Sequence, residues 1–292
     1  MHLGRKVFMT VVFSCLPFFT PVHAAPGDLD PTFGLGGIAV VDLGGYDHGQ
    51  DLALQPDGKV VVGGYASVPG TSSFGLARLN PDGSPDASFG NGGQVFSTLA
   101  GRSGTLEDLA LQPDGKIVVG GYVDLGRTTT EYNANFWLAR FNRNGTLDTS
   151  FGTGGFVTTD LFSGSAENLS AIAVQPDGRI LAAGSVRRTG EDSHFVVARY
   201  LPDGRLDPDF GVDGKAVTPV RGDSVIFGIA LQPDGKIVGA GWTPSSEYAL
   251  VRYDSQGRLD PSFGGDGIVI NEFYTHNGLL NSVVVQPDGK IV

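Results

Sequence analysis

Beyond the first 24 residues the chain has three histidines, His48, His194 and His276. Converging, they could hold a metal ion, but no H-x-x-x-H or similar spacing supports it, and solvated loop histidines are the plainer reading. Tyr65, Tyr122 and Trp242 end equivalent apolar stretches, with Ser185 in the third copy. Such aromatics could ring a site that stacks on sugars or aromatic ligands, or they could cap the core between sheets. Asp207, Asp209 and Asp213 resemble a calcium loop, but Gly211 stands where the third ligand belongs. No G-x-S-x-G elbow, P-loop or HExxH occurs. The Arg-Gly-Asp at 221–223 and the sequons at Asn144 and Asn168 are short enough to arise by chance. The expectation is therefore no metal, no cofactor and no catalytic residue. The ligand-binding candidates are Tyr65, Tyr122, Trp242, His48, His194 and His276.

One charged pattern recurs at fixed spacing. Arg78, Arg140, Arg199 and Arg252 each stand eight residues before an aspartate, Asp86, Asp148, Asp207 and Asp260. Either each pair forms an ion pair, or the aspartate only caps a turn while the arginine lies along the surface with its head in water.

These residues sit in a tandem repeat. The phrase Gln-Pro-Asp-Gly, followed by Lys or Arg, recurs with its glycine at 58, 115, 178, 235 and 289, spaced by 57, 63, 57 and 54 residues. A Phe-Gly marker at Phe33, Phe89, Phe151, Phe210 and Phe263 keeps the same phase. Periods of this size mean a propeller, a solenoid or an array. Each copy reads as four short strands, of the types "GIAVVDL", "DLALQ", "KVVVGGY" and "FGLARLN", bounded by turn residues and without helical periodicity. Pro56 and Asp57 fit a type I turn, and Gly58 closes it in the left-handed conformation with a bulge. The second and third strands show no polar alternation and read as buried on both faces, with Ala53 and Gly63 admitting close neighbours. A four-stranded sheet covered on both faces by its neighbours is a propeller blade. In the connector, of the type "LDPSFG", the aspartate caps one helical turn and the phenylalanine turns inward.

The hairpin, the "LARLN" strand and the "LDPSFGxGG" connector together resemble the delta-60 repeat family of bacterial secreted proteins, over residues 29–292. The resemblance implies an all-β, propeller-like fold and little about chemistry. The repeat domain is expected over 25–292, as about 4.5 blades with units starting near Leu29, Ser84, Leu147, Leu206 and Leu259. The last unit stops in mid-strand at Val292, which suggests an incomplete, open propeller and further blades of the same chain beyond it. With the chain entering through "LDPTFG", no N-terminal strand is expected to complete the final blade.

In a propeller, the Gln-Pro-Asp-Gly turns and the connectors share one face, and the loops that differ from copy to copy share the other. Repeat proteins usually bind on their variable face, so the candidate site is placed there.

The N-terminus reads as a signal peptide, residues 1–24. Arg5 and Lys6 precede an apolar run, Val7 to Phe19, too short to span a bilayer, and small residues precede a cut after Ala24. Apolar residues continue past Cys15, which argues against a lipid anchor there. Removing the segment takes the formal charge from −11 to −13 and the only cysteine with it. So acidic a chain is an unlikely nucleic-acid partner, and its stability must come from packing without disulfides. The expected location is secreted, periplasmic or cell-surface. The expected role is a non-enzymatic binding or scaffold module for a protein, peptide or polysaccharide. The alternative is a hydrolase or lyase at the central channel, which a cluster of ionisable groups near the axis would favour.

Overall fold

The structure, a computed structural model, describes residues 27–43, 46–68, 71–99, 104–127, 132–244, 247–272 and 280–292. The signal segment and His276 lie outside the described residues. Sixteen strands form four antiparallel units. The first holds β1 (Tyr46–Leu54), β2 (Val60–Val68), β3 (Thr71–Leu79) and β4 (Gln94–Thr98). The second holds β5 (Gly104–Leu111), β6 (Ile117–Arg127), β7 (Tyr132–Phe141) and β8 (Phe156–Thr159). The third holds β9 (Ala166–Val174), β10 (Ile180–Arg187), β11 (Ser193–Tyr200) and β12 (Lys215–Thr218). The fourth holds β13 (Val225–Leu231), β14 (Ile237–Thr243), β15 (Glu247–Tyr253) and β16 (Ile268–Glu272). One parallel pairing, Ala134 with Ala166, joins the second and third units. The first strands β1, β5, β9 and β13 lie successively side by side. They line the inside of an open arc of propeller blades, with β4, β8, β12 and β16 outermost.

The pairing corrects two readings of the sequence. Each blade takes its outermost strand from the start of the next copy, as β4 ("QVFST") pairs with β3. The segment "GIAVVDL", residues 37–43, is therefore an outermost strand by type. It stands at the N-terminal edge of the arc without forming a ladder strand. Burial of the second and third strands on both faces holds between blades but not at that edge, where Leu52 is 62% and Leu54 67% exposed. Leu109, the counterpart of Leu52, is 5% exposed, because the first blade covers it.

The core consists of inter-blade seams. One seam joins Phe74 and Leu76 of the first blade to Leu106, Leu109 and Trp137 of the second. Another joins Phe136 and Leu138 to Leu169, Ile172 and Val196, and a third joins Leu181 and Val197 to Ile226 and Ile237. Val283, in the partial fifth unit, packs on Val238 and Ala240 of the fourth blade. The Gly-Gly pair of the second strand serves two needs at the first seam. A side chain at Gly63 would press on Leu109 and Leu106 of the next blade. At Gly64, and at Gly121, Gly184 and Gly241, a Cβ would overlap a carbonyl of the inner strand, His48, Thr105, Asn168 or Val225. That carbonyl leans in because each inner strand bulges two residues further on, at Gln50, Glu107, Ser170 and Phe227. The clash is with backbone, so Gly121→Ala is expected to cost about 2 kcal/mol in chemical denaturation. A loss under about 0.5 kcal/mol would show that the bulge can relax.

Candidate functional site

The rung that carries the sequence candidates recurs in every blade. His48 pairs with Tyr65, and Tyr65 with Phe74. The equivalents are Thr105–Tyr122–Phe136, Asn168–Ser185–Phe195 and Val225–Trp242–Tyr248. Tyr65, Tyr122 and Trp242 are half-buried and His48 is exposed. The structure thus brings His48 and Tyr65 together but leaves the three aromatics in separate blades. His194 is the second residue of β11, half-buried, with its Nδ1 enclosed and without a hydrogen-bond partner among the described residues. Among the described residues, no group of three or more His, Cys, Asp or Glu side chains is placed to hold a metal ion.

The inner bulges bring together two aspartates that the sequence reading missed. Asp51 and Asp108 each stand four residues before the glutamine of the turn, facing a polar cavity of about 500 Å³ on the axis with Gln50, Glu107, Ser170 and Asn281. Asp51 Oδ2 accepts the Leu109 N–H of the second blade at 3.1 Å. Asp108 accepts its neighbour Leu109 N–H at 2.8 Å and the Ile172 N–H of the third blade at 2.5 Å. Gln50 Nε2 donates to Glu107 Oε2 at 3.1 Å. Burial, with the Asp51 carboxyl beside it, pushes Asp108 up to about 8, against the two backbone donors that favour its charge. At neutral pH that keeps a proton on Asp108, beside Asp51. The signal was the repeated "DLALQ", whose first residue becomes Ala171 and Gly228 in later blades.

At the other end of the strands the four arginine–aspartate pairs are real. Arg Nε meets Asp Oδ2 at 2.7 Å for Arg78 and Arg140, 2.8 Å for Arg199 and 2.9 Å for Arg252. The cation after the turn glycine adds a second contact, from Lys59 at 2.7 Å, Lys116 at 2.8 Å and Arg179 at 2.9 Å. Each guanidinium lies over the connector phenylalanine, 4.6 to 4.7 Å from the ring centre. The first three also donate through Nη1 to a turn carbonyl of the next blade, Arg143, Pro202 or Ser255. The connectors dock on the same turns: Gly90 N–H donates to Asn144 O at 2.8 Å and Gly152 N–H to Asp203 O at 2.8 Å. Burial alone would raise Asp86. Hydrogen bonds from Lys59, from Ser88 side chain and backbone, and from Arg78 outweigh it and hold the carboxyl well below the usual range. The repeated lysine or arginine after the turn is thus structural.

The same face holds a cavity of about 1030 Å³ over the first three blades. Leu54, Leu111 and Val174 give it an apolar wall, Pro56, Pro113 and Pro176 its rim, and Arg143 a guanidinium. Gln55 and Gln112, both at least nine-tenths buried, line it, and their Oε1 atoms have no partner in the fold. The expected site was on the opposite face. There, a cavity of about 580 Å³ is confined to third-blade residues such as Asn168, Arg187 and Ser193.

The solved structures to which the chain is similar are distant in sequence. A glucose dehydrogenase is 14% identical, with 85% of this chain and 78% of that chain covered and a TM-score of 0.46. A second glucose dehydrogenase is 15% identical, covering 85% and 79%, with a TM-score of 0.41. Sqt1 of Chaetomium thermophilum is 14% identical, covering 84% and 66%, with a TM-score of 0.38. No curated protein matches the chain in sequence. The family described as "Domain of unknown function (DUF5122) beta-propeller" matches four segments, residues 55–89, 112–151, 175–210 and 232–263, one in each blade, so by fold and by repeat the chain is a β-propeller repeat protein.

Proposed function

We propose that the protein is an exported binding module, a propeller of the delta-60 repeat type, that holds a peptide or glycan on the face of the Gln-Pro-Asp-Gly turns. The carrying observation is the cavity against Leu54, Leu111 and Val174, where an apolar wall meets the enclosed glutamine carbonyls and the Arg143 guanidinium. Concave sites with few fixed polar groups are the common form of ligand pocket. Export rests on the N-terminal segment 1–24 with its Arg5–Lys6 start and apolar run.

Glycan and peptide arrays on the mature chain would find the ligand, and calorimetry on variants would place it. Leu54→Asp and Arg143→Ala are each expected to weaken binding about tenfold, while Tyr122→Ala and Trp242→Ala leave it unchanged. The reverse pattern would move the site to the variable face, with Tyr65, Tyr122, Trp242 and the histidines as its contacts. N-terminal sequencing of exported protein is expected to begin at Ala25; a start at Cys15 would mean a lipid anchor.

A second reading is favoured by one observation. A carboxyl with a raised pKa beside a second carboxyl on the axis is the equipment of acid–base hydrolysis. Both aspartates, however, spend an oxygen on the N–H of the following blade, which supports a linking role. Turnover of an array ligand that Asp108→Asn abolishes would establish the enzyme instead.

A further inference from the structure

Beside the outermost strands, the inter-blade seams carry equivalent residues and fill the same space differently. In the second seam Leu161 and Phe162 follow β8. Leu161 is 2% exposed, and Phe162 packs against the core of that seam. Two cations of the third blade lie over the Phe162 ring, Arg188 at 4.0 Å and Lys215 at 4.3 Å from its centre. In the third seam the place of Phe162 is taken by Arg221, which pairs with Glu247 of the fourth blade at 2.8 Å. Glu247 stands where the third blade has His194 and the second has Asn135, each one residue before the aromatic of the rung.

By sequence the counterpart of Phe162 in the first seam is Ala100. There the structure has a cavity of about 590 Å³. Its lining follows the second seam residue by residue. Leu99 stands for Leu161, Val123 for Val186, and Asn135 for His194. Leu125 replaces Arg188 and Phe156 replaces Lys215, so both cations that attend the Phe162 ring become apolar. Among the described residues that line the cavity, none is charged. Trp137 also lines it, with its indole fixed by an N–H bond to the Thr105 carbonyl at 3.0 Å and by the Phe74 ring, 4.8 Å away between centres. Asn135 is only 9% exposed, and its amide has no hydrogen-bond partner among the described residues. An enclosed amide without a partner is costly, and a ligand that supplies one removes that cost.

We propose that this cavity binds a small neutral aromatic compound, of one or two rings with a single hydrogen-bonding group, as in a phenol or an indole. The ring takes the place that Phe162 takes in the next seam. Its polar group meets the Asn135 amide, which both donates and accepts. The volume falls within the range of ligand pockets, about 300–1,000 Å³. A carboxylate or an amine is rejected, because an enclosed charge would lose its water and find no opposite charge. The site goes beyond the function proposed above and shares no described lining residue with the cavity over the Gln-Pro-Asp-Gly turns.

Calorimetric titration of the full chain with 2-naphthol tests it, and saturable binding is expected. Naphthalene, which lacks the hydroxyl, and 2-naphthoate, which is charged, are each expected to bind at least about tenfold more weakly. Asn135→Leu is expected to weaken 2-naphthol about tenfold and to leave naphthalene unchanged, the mark of a direct contact with the hydroxyl. Leu125→Trp places a ring in the cavity, as Phe162 does in the second seam, and is expected to abolish binding with no fall in melting temperature. Leu54→Asp, on the wall of the other cavity, is expected to leave 2-naphthol binding unchanged. Absence of saturable binding overturns the proposal, as does binding that Asn135→Leu and Leu125→Trp leave intact. Loss of binding in Leu54→Asp would assign the ligand to the other cavity and overturn it too, and 2-naphthoate binding as tightly as 2-naphthol would overturn the ligand class.

Discussion

Replacing Arg140 with alanine is expected to destabilise the protein by about 4 kcal/mol, while the same change at Arg252 costs about 1 kcal/mol. The two arginines occupy the same place in the repeat and differ in what surrounds them. Arg140 pairs with Asp148 at 2.7 Å with only 7% of its side chain exposed, lies over Phe151, and donates to the Pro202 carbonyl across the seam. Its removal leaves the buried Asp148 with Lys116 and the Ser150 donors but without its guanidinium, and removes the Arg140 link from the second blade to the third. Removing one partner of a buried pair is costly because the other charge stays desolvated. Arg252 keeps its aspartate and phenylalanine, but its side chain is 15% exposed. Among the described residues it reaches no turn carbonyl of a further blade, and Lys236 stands 3.6 Å from Asp260. Urea denaturation of both variants decides the matter. Equal losses would show that the inter-blade carbonyl contributes nothing and that the junction acts within one blade only.

The repeat carried most of this architecture openly. Two markers in constant phase fixed the number of blades, and the proline–glycine chemistry of the hairpins fixed which strand ends share a face. Gly58 and its counterparts at 115, 178, 235 and 289 all take φ between 80° and 85°. The exchange of the outermost strand was harder to read. Strand and connector alternate along the chain in either grouping, and only pairing shows that "GQVFSTL" belongs with the strand before it. Function was harder still. Residues that repeat are explained by the seams, as Arg140 and Phe151 are. The candidates chosen for differing between copies, Tyr65, Tyr122 and Trp242, fall in separate blades. Asp51 and Asp108 stood in plain view inside "DLALQ" and "EDLALQ", but an aspartate in an apolar strand gains meaning only when a bulge turns it toward the next blade.

Stability is expected to fall by about 5 kcal/mol between pH 5 and pH 7, the opposite of what an acidic chain with depressed junction carboxyls would suggest. Asp108 is pushed from 3.8 up to about 8 by burial and by Asp51. Glu167 is pushed from 4.5 up to about 7, chiefly by burial, although Ser165 and the Leu161 and Phe162 N–H groups favour its charge. A carboxyl with a raised folded value keeps a proton that the unfolded chain has released. Each such proton lowers stability by about 1.4 kcal/mol per pH unit between the two values. The junction aspartates Asp86 and Asp148 act in the other direction, but their contribution is complete above the ordinary carboxylate value and is lost only in stronger acid. The maximum should therefore lie near pH 4 to 5. Asp51→Asn isolates the axial pair. The asparagine keeps an oxygen for the Leu109 N–H, and its amide can donate to Asp108 where a second carboxylate would repel it. The variant is expected to match wild type at pH 5, to exceed it by about 1–2 kcal/mol at pH 8, and to show a shallower slope between. Melting temperatures across this range would check it. If wild type instead gains stability from pH 5 to 8, or if Asp51→Asn leaves the slope unchanged, Asp51 does not raise Asp108 and the axis is no more than a polar lining.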